Sequence, residues 1–199
     1  MSGSRSTLQI DPVDGAIIAK IDRRSLWRVT YAEPTSLPEE TVRERLGDRY
    51  ATLLPGDGDW TLDRITPYKM HQRSAETYRV GRVLLAGDAA HATNPTGGLG
   101  LTSGLYDSFA LQDVLSAVAV EGADDAVLDD WAEERRRLFV ELASPQAVAN
   151  KRMIFSDPDP EVRRRAVDAL RAGVTDRETL RERLHFTRKL QSQVTARTR

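Results

Sequence analysis

The sequence predicts an α+β fold with an α/β-like centre, and three observations carry that prediction. The first third of the chain alternates apolar with polar residues at period two, as half-buried antiparallel strands do. A short apolar run, Arg82–Ala86, enters a glycine-rich loop and then a helix, as in an α/β unit. The remainder places apolar residues at a 3.6-residue spacing in successive segments. These observations divide the 199 residues into a sheet region at 8–80, a strand-loop-helix at 81–120 and a helical region at 121–199.

Residues 8–32 read as strands. Gly15–Asp22 is an apolar run, and Leu26–Ala32 alternates Trp27, Val29 and Tyr31 with Arg28 and Thr30. β-Branched and aromatic residues favour both, and Asp22–Ser25 supplies the turn of a hairpin. Ser36–Glu40 marks a helix start, with Pro38 where its missing N–H is harmless and acids in the first turn. That helix runs to Leu54 and stops at Pro55–Gly58. Residues 60–70 alternate as a strand toward Tyr68. Arg82–Ala86 reads as a strand buried on both faces. Beyond the loop, Leu101, Leu105, Leu111, Leu115 and Val118 form the expected inner face of a helix. A second helix spans Asp124–Ala143, with Val127, Trp131, Leu138 and Leu142 inward and Glu133 set to pair with Arg137. A third opens at Asp159–Glu161 and stops at Gly173, and a fourth opens with a capping box, Thr175 to Glu178.

Composition excludes several classes. Lys and Arg number 29 against 30 Asp and Glu, without the basic excess of a general nucleic-acid binder. There is no Cys, hence no disulfide and no thiolate metal site. No run reaches the length of a membrane span, and Met1–Thr7 lacks the apolar core of a signal peptide. The expectation is a cytoplasmic protein with no membrane, nucleic-acid or metal partner. Charge is uneven: residues 83–134 hold ten acids and no Lys or Arg, whereas 161–199 carry a net charge of +6. The basic segment reads as a solvated helical face.

The chemistry concentrates in Gly81–Asp113, GRVLLAGDAAHATNPTGGLGLTSGLYDSFALQD. A strand there delivers Gly87 and Asp88 to its carboxyl end, where α/β proteins bind ligands. Gly87 admits close approach, and Asp88 offers an acceptor to hydroxyls such as those of a sugar alcohol. Gly97, Gly98 and Gly100 precede a helix whose first N–H groups suit an anion or a ring that gains negative charge. The same glycines also occur in plain structural turns, so by themselves they leave ligand binding open.

The full string is more specific. GRVLLAGDAAH followed by NPTGGLGLTSGLYDS closely resembles the second FAD motif of the flavin-dependent aromatic hydroxylases, the group A monooxygenases of the para-hydroxybenzoate and phenol hydroxylase type. Leu26–Tyr31 looks like a strand of their substrate-binding sheet, and Pro67–Ala75 like the segment leading into the motif. The resemblance is strongest over residues 60–120.

It implies a partial FAD- and NAD(P)-dependent monooxygenase fold: part of the substrate sheet, the flavin-edge strand-loop-helix and a helical tail. It implies FAD as cofactor, NAD(P)H as reductant, and O2 as the source of the oxygen that enters an aromatic ring. Gly87 and Asp88 would meet the ribityl chain. Pro95, Gly97, Gly98, Leu99, Gly100, Leu101 and Thr102 would lie along the isoalloxazine, with Pro95 nearest the reacting edge as the one catalytic candidate. Phenol hydroxylases often have Asn where this chain has Thr102. His91 reads as structural, closing the turn after Asp88. Tyr31, Tyr68, His71 and Arg73 are candidates for the substrate side; as plain structure, Tyr31 packs in the sheet and Arg73 forms a surface ion pair.

No GxGxxG opening a βαβ unit occurs here; Gly98-x-Gly100-x-x-Ser103 follows a loop and ends in Ser. Asp57-Gly58 imitates the family's middle motif out of order and reads as a decoy. Residues 83–134 have no cation to neutralise a pyrophosphate. The expectation is therefore the carboxy-terminal half of a monooxygenase that binds FAD poorly alone, with a separate chain or segment supplying the ADP-binding half. The alternatives are a non-catalytic binding or partner module, and a helical regulatory protein in which the motif is a relic.

Overall fold

The computed structural model describes residues 5–54, 56, 59–155 and 159–194. They form two compact units, residues 1–69 with 151–168, and residues 70–150 with 169–199. The stop at Pro55–Gly58 and the decoy Asp57-Gly58 lie largely outside the described residues.

The first unit is built on an antiparallel sheet of β1 (Ser6–Gln9), β2 (Ala16–Lys20) and β3 (Trp27–Tyr31). Ala16 faces Tyr31 and Lys20 faces Trp27, the register of the expected hairpin. Period two sends Ala16 and Ile18 inward, where they meet Leu53 of α1 (Val42–Leu53), with Trp27, Val29 and Tyr31 packed alongside. Asp11 shapes the turn before β2 by accepting the Val13 and Asp14 N–H groups, each at 2.8 Å. Gly15 follows because a side chain there would stand 2.1 Å from the Ile154 carbonyl oxygen.

The strand expected over 60–70 does not form, and residues 59–72 are irregular. Pro67 can donate nothing to a ladder, and Trp60 packs edge-on against Tyr50 of α1 at 4.6 Å between ring centroids.

The second unit contains β4 (Arg73–Ser74), β5 (Arg79–Val80), β6 (Val83–Leu84) and β7 (His91–Ala92), joined as the antiparallel pairs β4–β7 and β5–β6. The expected doubly buried strand at 82–86 is instead half of a tight hairpin turning at Gly81, whose φ is 57°. Val83 is 64% exposed, while Leu84, Leu85 and Ala86 pack against a core of Tyr78, Val114 and Trp131.

Helix α2 (Leu99–Ala119) is 21 residues long. Its buried face is Leu99, Ser103, Asp107, Ala110, Val114 and Ala117, at steps of three and four. Leu101, Leu105 and Leu115, expected inward, are exposed, Leu101 by 73%. Apolar residues surround this helix, so periodicity did not single out the buried side; small residues and one buried carboxylate did. α3 (Ala126–Leu138) carries Trp131 and Leu138 inward as expected. It passes through one π-turn, Phe139–Ala143, into α4 (Ser144–Phe155). Arg137 lies 3.8 Å from Glu141, rather than pairing with Glu133.

α5 (Pro160–Thr175) does not stop at Gly173 but passes through it. A side chain at Gly173 would meet the Arg183 guanidinium at 2.4 Å. The cap of α6 (Arg177–His185) is Asp176, not Thr175: its carboxylate accepts the Thr179 N–H at 2.9 Å.

Candidate functional site

Gly87 opens a single 3-10 turn, Gly87–Ala89, with φ of 57°. α2 crosses directly behind it, and a side chain at Gly104 would stand 3.1 Å from the Gly87 Cα. One carboxylate fixes the turn from beneath. Asp107 Oδ2 accepts the Gly87 N–H at 3.0 Å and the His91 Nε2–H at 2.7 Å, while Oδ1 accepts the Arg135 Nε–H at 2.8 Å. The Asp107 and Arg135 side chains are each 1% exposed. Arg135 also donates to the Leu190 carbonyl at 2.6 Å, and His91 stacks on Phe139 at 4.1 Å. Burial alone would raise the Asp107 pKa; hydrogen bonds from His91, Arg135 and Gly87, with the Arg135 charge, hold it below the ordinary carboxylate value. The cluster therefore favours the ionised form of Asp107.

The turn leaves Asp88 exposed, and its carboxylate takes no hydrogen bond among the described residues.

The loop after β7 alternates in burial: Asn94 and Thr96 are buried, and Pro95, Gly97 and Gly98 are exposed. Asn94 Oδ1 accepts the Thr96 N–H at 3.1 Å, and Pro95 carbonyl accepts the Gly98 N–H at 3.1 Å. Gly98, with φ of 68°, is the N-cap of α2 and has no capping side chain. The first intrahelical donor is the Thr102 N–H, which reaches the Gly98 carbonyl at 3.1 Å. Leu99, Gly100 and Leu101 thus leave three N–H groups open at the positive end of a long helix dipole.

The model for the FAD binding domain matches residues 13–144, about two thirds of the chain. The chain belongs to the FAD-binding domain family. It is 43% identical over 182 residues to 6-hydroxy-3-succinoylpyridine 3-monooxygenase of Pseudomonas putida, covering 92% of this chain and 46% of that protein. It is 44% identical over 191 residues to para-nitrophenol 4-monooxygenase of a Pseudomonas species, covering 94% and 47%. A crystal structure of p-nitrophenol 4-monooxygenase from Pseudomonas putida superposes with a TM-score of 0.87 at 42% identity, covering 96% of this chain and 49% of that one. The chain spans about half the length of these relatives. The resemblance to flavin-dependent aromatic hydroxylases holds, and the mixed α/β chain is part of such a fold.

The residues of this FAD-binding domain fit a flavin. The α2 N-terminus is uncapped, and nothing lies within 4 Å of the place a Gly98 side chain would take. A side chain at Gly97, whose φ is 94°, would strike the Asn150 amide at 2.6 Å, so the loop backbone there has no room for a Cβ. The Leu99 side chain turns away into a cluster with Phe139, Ala143, Ala147 and Leu190, leaving only its backbone for a ligand. The Thr102 hydroxyl donates to the Gly98 carbonyl at 3.0 Å. That bond takes up the Thr102 side chain.

The substrate-side candidates are dispersed. Tyr31 is half-buried, with the Arg49 guanidinium 5.2 Å over its ring, and burial raises its pKa. Tyr68 is 57% exposed. His71 and Arg73 are exposed, and Arg73 opposes Ala92 in the β4–β7 pair. Among the described residues no group of His, Asp and Glu is placed to hold a metal ion, and no helix is long and apolar enough to cross a membrane.

Sequence reasoning missed Asp107, Arg135, Gln72, Asn94 and Asn150 as parts of the site. For Asp107 a signal existed: an acid four residues beyond Ser103 and three before Ala110, on the stripe of small residues. For the amides there was none, because they act through loop geometry.

Proposed function

We propose that this chain carries the ribityl and ring end of an FAD site in a monooxygenase that hydroxylates an aromatic, phenol-like substrate. When bound, FAD reduced by NAD(P)H would supply the electrons that let O2 deliver one oxygen atom to the ring. Asp88 would hold ribityl hydroxyls through its unpartnered carboxylate, beside the backbone of Gly87. Pro95, Gly97, Gly98, Leu99, Gly100, Leu101 and Thr102 would line the ring edge with backbone. The open N–H groups of α2 would stabilise negative charge there without reorganising. Pro95, exposed on the loop, would exclude water beside the reacting edge. Tyr31, Tyr68, His71 and Arg73 are proposed as residues of the substrate side.

The observation that carries this reading is the pairing of a partnerless Asp88 with an uncapped, glycine-lined helix start. The two Pseudomonas relatives act, by name, on a nitrophenol and a hydroxypyridine; an electron-poor hydroxylated ring is the substrate class we favour. We place the reaction in the cytoplasm, where NAD(P)H is supplied.

We further propose that polypeptide outside these residues, in the same or a separate chain, holds the ADP end. Residues 83–134 offer no cation for a pyrophosphate. The outer face of α2 exposes Leu101, Leu105 and Phe109, an apolar surface suited to such a companion. The same surface is what favours a partner module as the second reading.

The test is a titration of the 199-residue chain with riboflavin, FMN and FAD, followed by flavin fluorescence. Equal affinities within about threefold, lost by at least about tenfold in Asp88→Ala, are expected if only the ribityl and ring end binds here. Much tighter binding of FAD would place the ADP site in this chain, and no binding of any flavin would sink the reading.

A further inference from the structure

The flavin-edge loop is held from behind by a chain of side-chain amides. Gln72 Oε1 accepts three donors: the Thr93 hydroxyl at 2.9 Å, the Asn94 N–H at 3.2 Å and the Asn94 Nδ2–H at 3.2 Å. Gln72 Nε2 donates to the Ser144 hydroxyl at 2.7 Å. These partners fix the orientation of the amide, since a flipped Gln72 would set its NH2 against two N–H donors. Asn94 passes the constraint forward, its Oδ1 accepting the Thr96 N–H at 3.1 Å. At the exit Asn150 Nδ2 donates to the Thr96 carbonyl at 3.3 Å, and Gln146 donates to Asn150 Oδ1 at 2.9 Å. Asn150 also fills the space beneath Gly97.

The Asn94 amide and the Thr96 N–H and carbonyl on the loop's inner side are thereby met from within the protein, the buried Thr96 hydroxyl having no partner among the described residues, and the outer side, Pro95, Gly97 and Gly98, is left for a ligand. An unbraced loop of this kind would sample many backbone states, and binding would have to order it at a cost in affinity. A neutral clamp suits this position. A cation behind the loop would compete with the helix dipole for the anionic end of a ligand, and a carboxylate would oppose it.

We propose that Gln72 is the positioning residue of the flavin edge. Through Oε1 it sets Asn94, and through Asn94 it pre-organises Thr96–Gly98 in the binding geometry before flavin arrives. This rests on the flavin reading above, but the clamp itself is measurable without flavin.

The experiment compares Gln72→Leu, which removes both functions, with Gln72→Glu, which keeps the acceptor and loses only the donor to Ser144. Amide hydrogen exchange is read by NMR in the 199-residue chain at Asn94, Thr96 and Gly98, with Val114 and Ile18 as controls. In Gln72→Leu, exchange at all three loop amides rises by about tenfold, the loss of one to two net hydrogen bonds, while the controls hold. Gln72→Glu restores most of the protection. In parallel, oxidised FAD binds Gln72→Leu at least about fivefold more weakly than wild type. Faster exchange at Asn94 alone would overturn the proposal, because Gln72 would then hold only its own contact. Unchanged FAD affinity with a loosened loop would overturn it as well. Failure of the unmodified chain to take up flavin would refute the functional reading instead, and the exchange measurement would still decide the clamp. If Gln72→Leu does not fold, Gln72→Ala takes its place, with Asn94, Thr96 and Gly98 expected to loosen together.

Discussion

The turn at Gly87–Asp88 and the loop at Pro95–Gly98 stand a few residues apart, yet the fold secures them by opposite means. Beneath the turn lies a buried ionic cluster, in which Asp107 and Arg135 are each 1% exposed and both oxygens of the carboxylate face donors. Behind the loop lies a neutral amide chain, open to water at Gln72. The difference reflects what each anchor can tolerate. A buried charge is stable only while fully partnered, so the turn is fixed in one state or lost with the fold. Neutral amides are individually worth little and their anchor, Gln72, is exposed, so the loop can be loosened without unfolding its surroundings.

The contrast is sharpest under mutation. Asp107→Ala should cost about 3–5 kcal/mol, because it strands the Arg135 guanidinium and the Gly87 N–H in the interior; urea denaturation measures it. A loss below about 1 kcal/mol would mean the cluster is not an anchor. Its pH dependence has a definite sign. The folded carboxyl titrates below its ordinary value of 3.8, so its contribution is complete above that pH and is lost as pH falls through the lowered value. Asp107→Asn should flatten that acid loss, as read from thermal midpoints below pH 3.8.

The loop glycines come next. Gly97→Ala and Gly98→Ala both force a side chain into the left-handed region, worth about 1–2 kcal/mol each. Only the Gly97 side chain meets an obstacle, the Asn150 amide. Gly97→Ala should therefore disturb the Asn150 amide resonances and the loop more than Gly98→Ala does. Equal perturbation would argue that Asn150 does not brace the loop.

The smallest effect belongs to a charge pair on the surface. Arg79 reaches Asp125 at 2.7 Å and Asp129 at 2.9 Å, but both acids are well exposed. Arg79→Ala should cost at most about 1 kcal/mol and lose even that at high salt. A larger, salt-resistant loss would mark this pair as part of a buried anchor like that at Asp107.

Local elements with their own signals were legible. The β2–β3 hairpin announced itself through the alternation of Trp27, Val29 and Tyr31, and the helix over Ala126–Leu138 through Trp131 and Leu138. The Gly87–Gly100 string was legible as a flavin motif because its composition is specific. Residues 60–70 showed the limit: alternation without a partner strand, and with Pro67, gave irregular chain. α2 showed another, because Leu101, Leu105 and Phe109 made its exposed side look like a core.

By itself the sequence determined the family and the order of hairpin, motif and helices. Those depend on residue type and spacing, which are local. The tertiary structure alone decided which face of α2 is buried, that Asp107 reaches back 20 residues to Gly87, and that Gln72 reaches forward 22 to Asn94. Such contacts form only when distant segments meet, and burial then decides which polar groups must find partners.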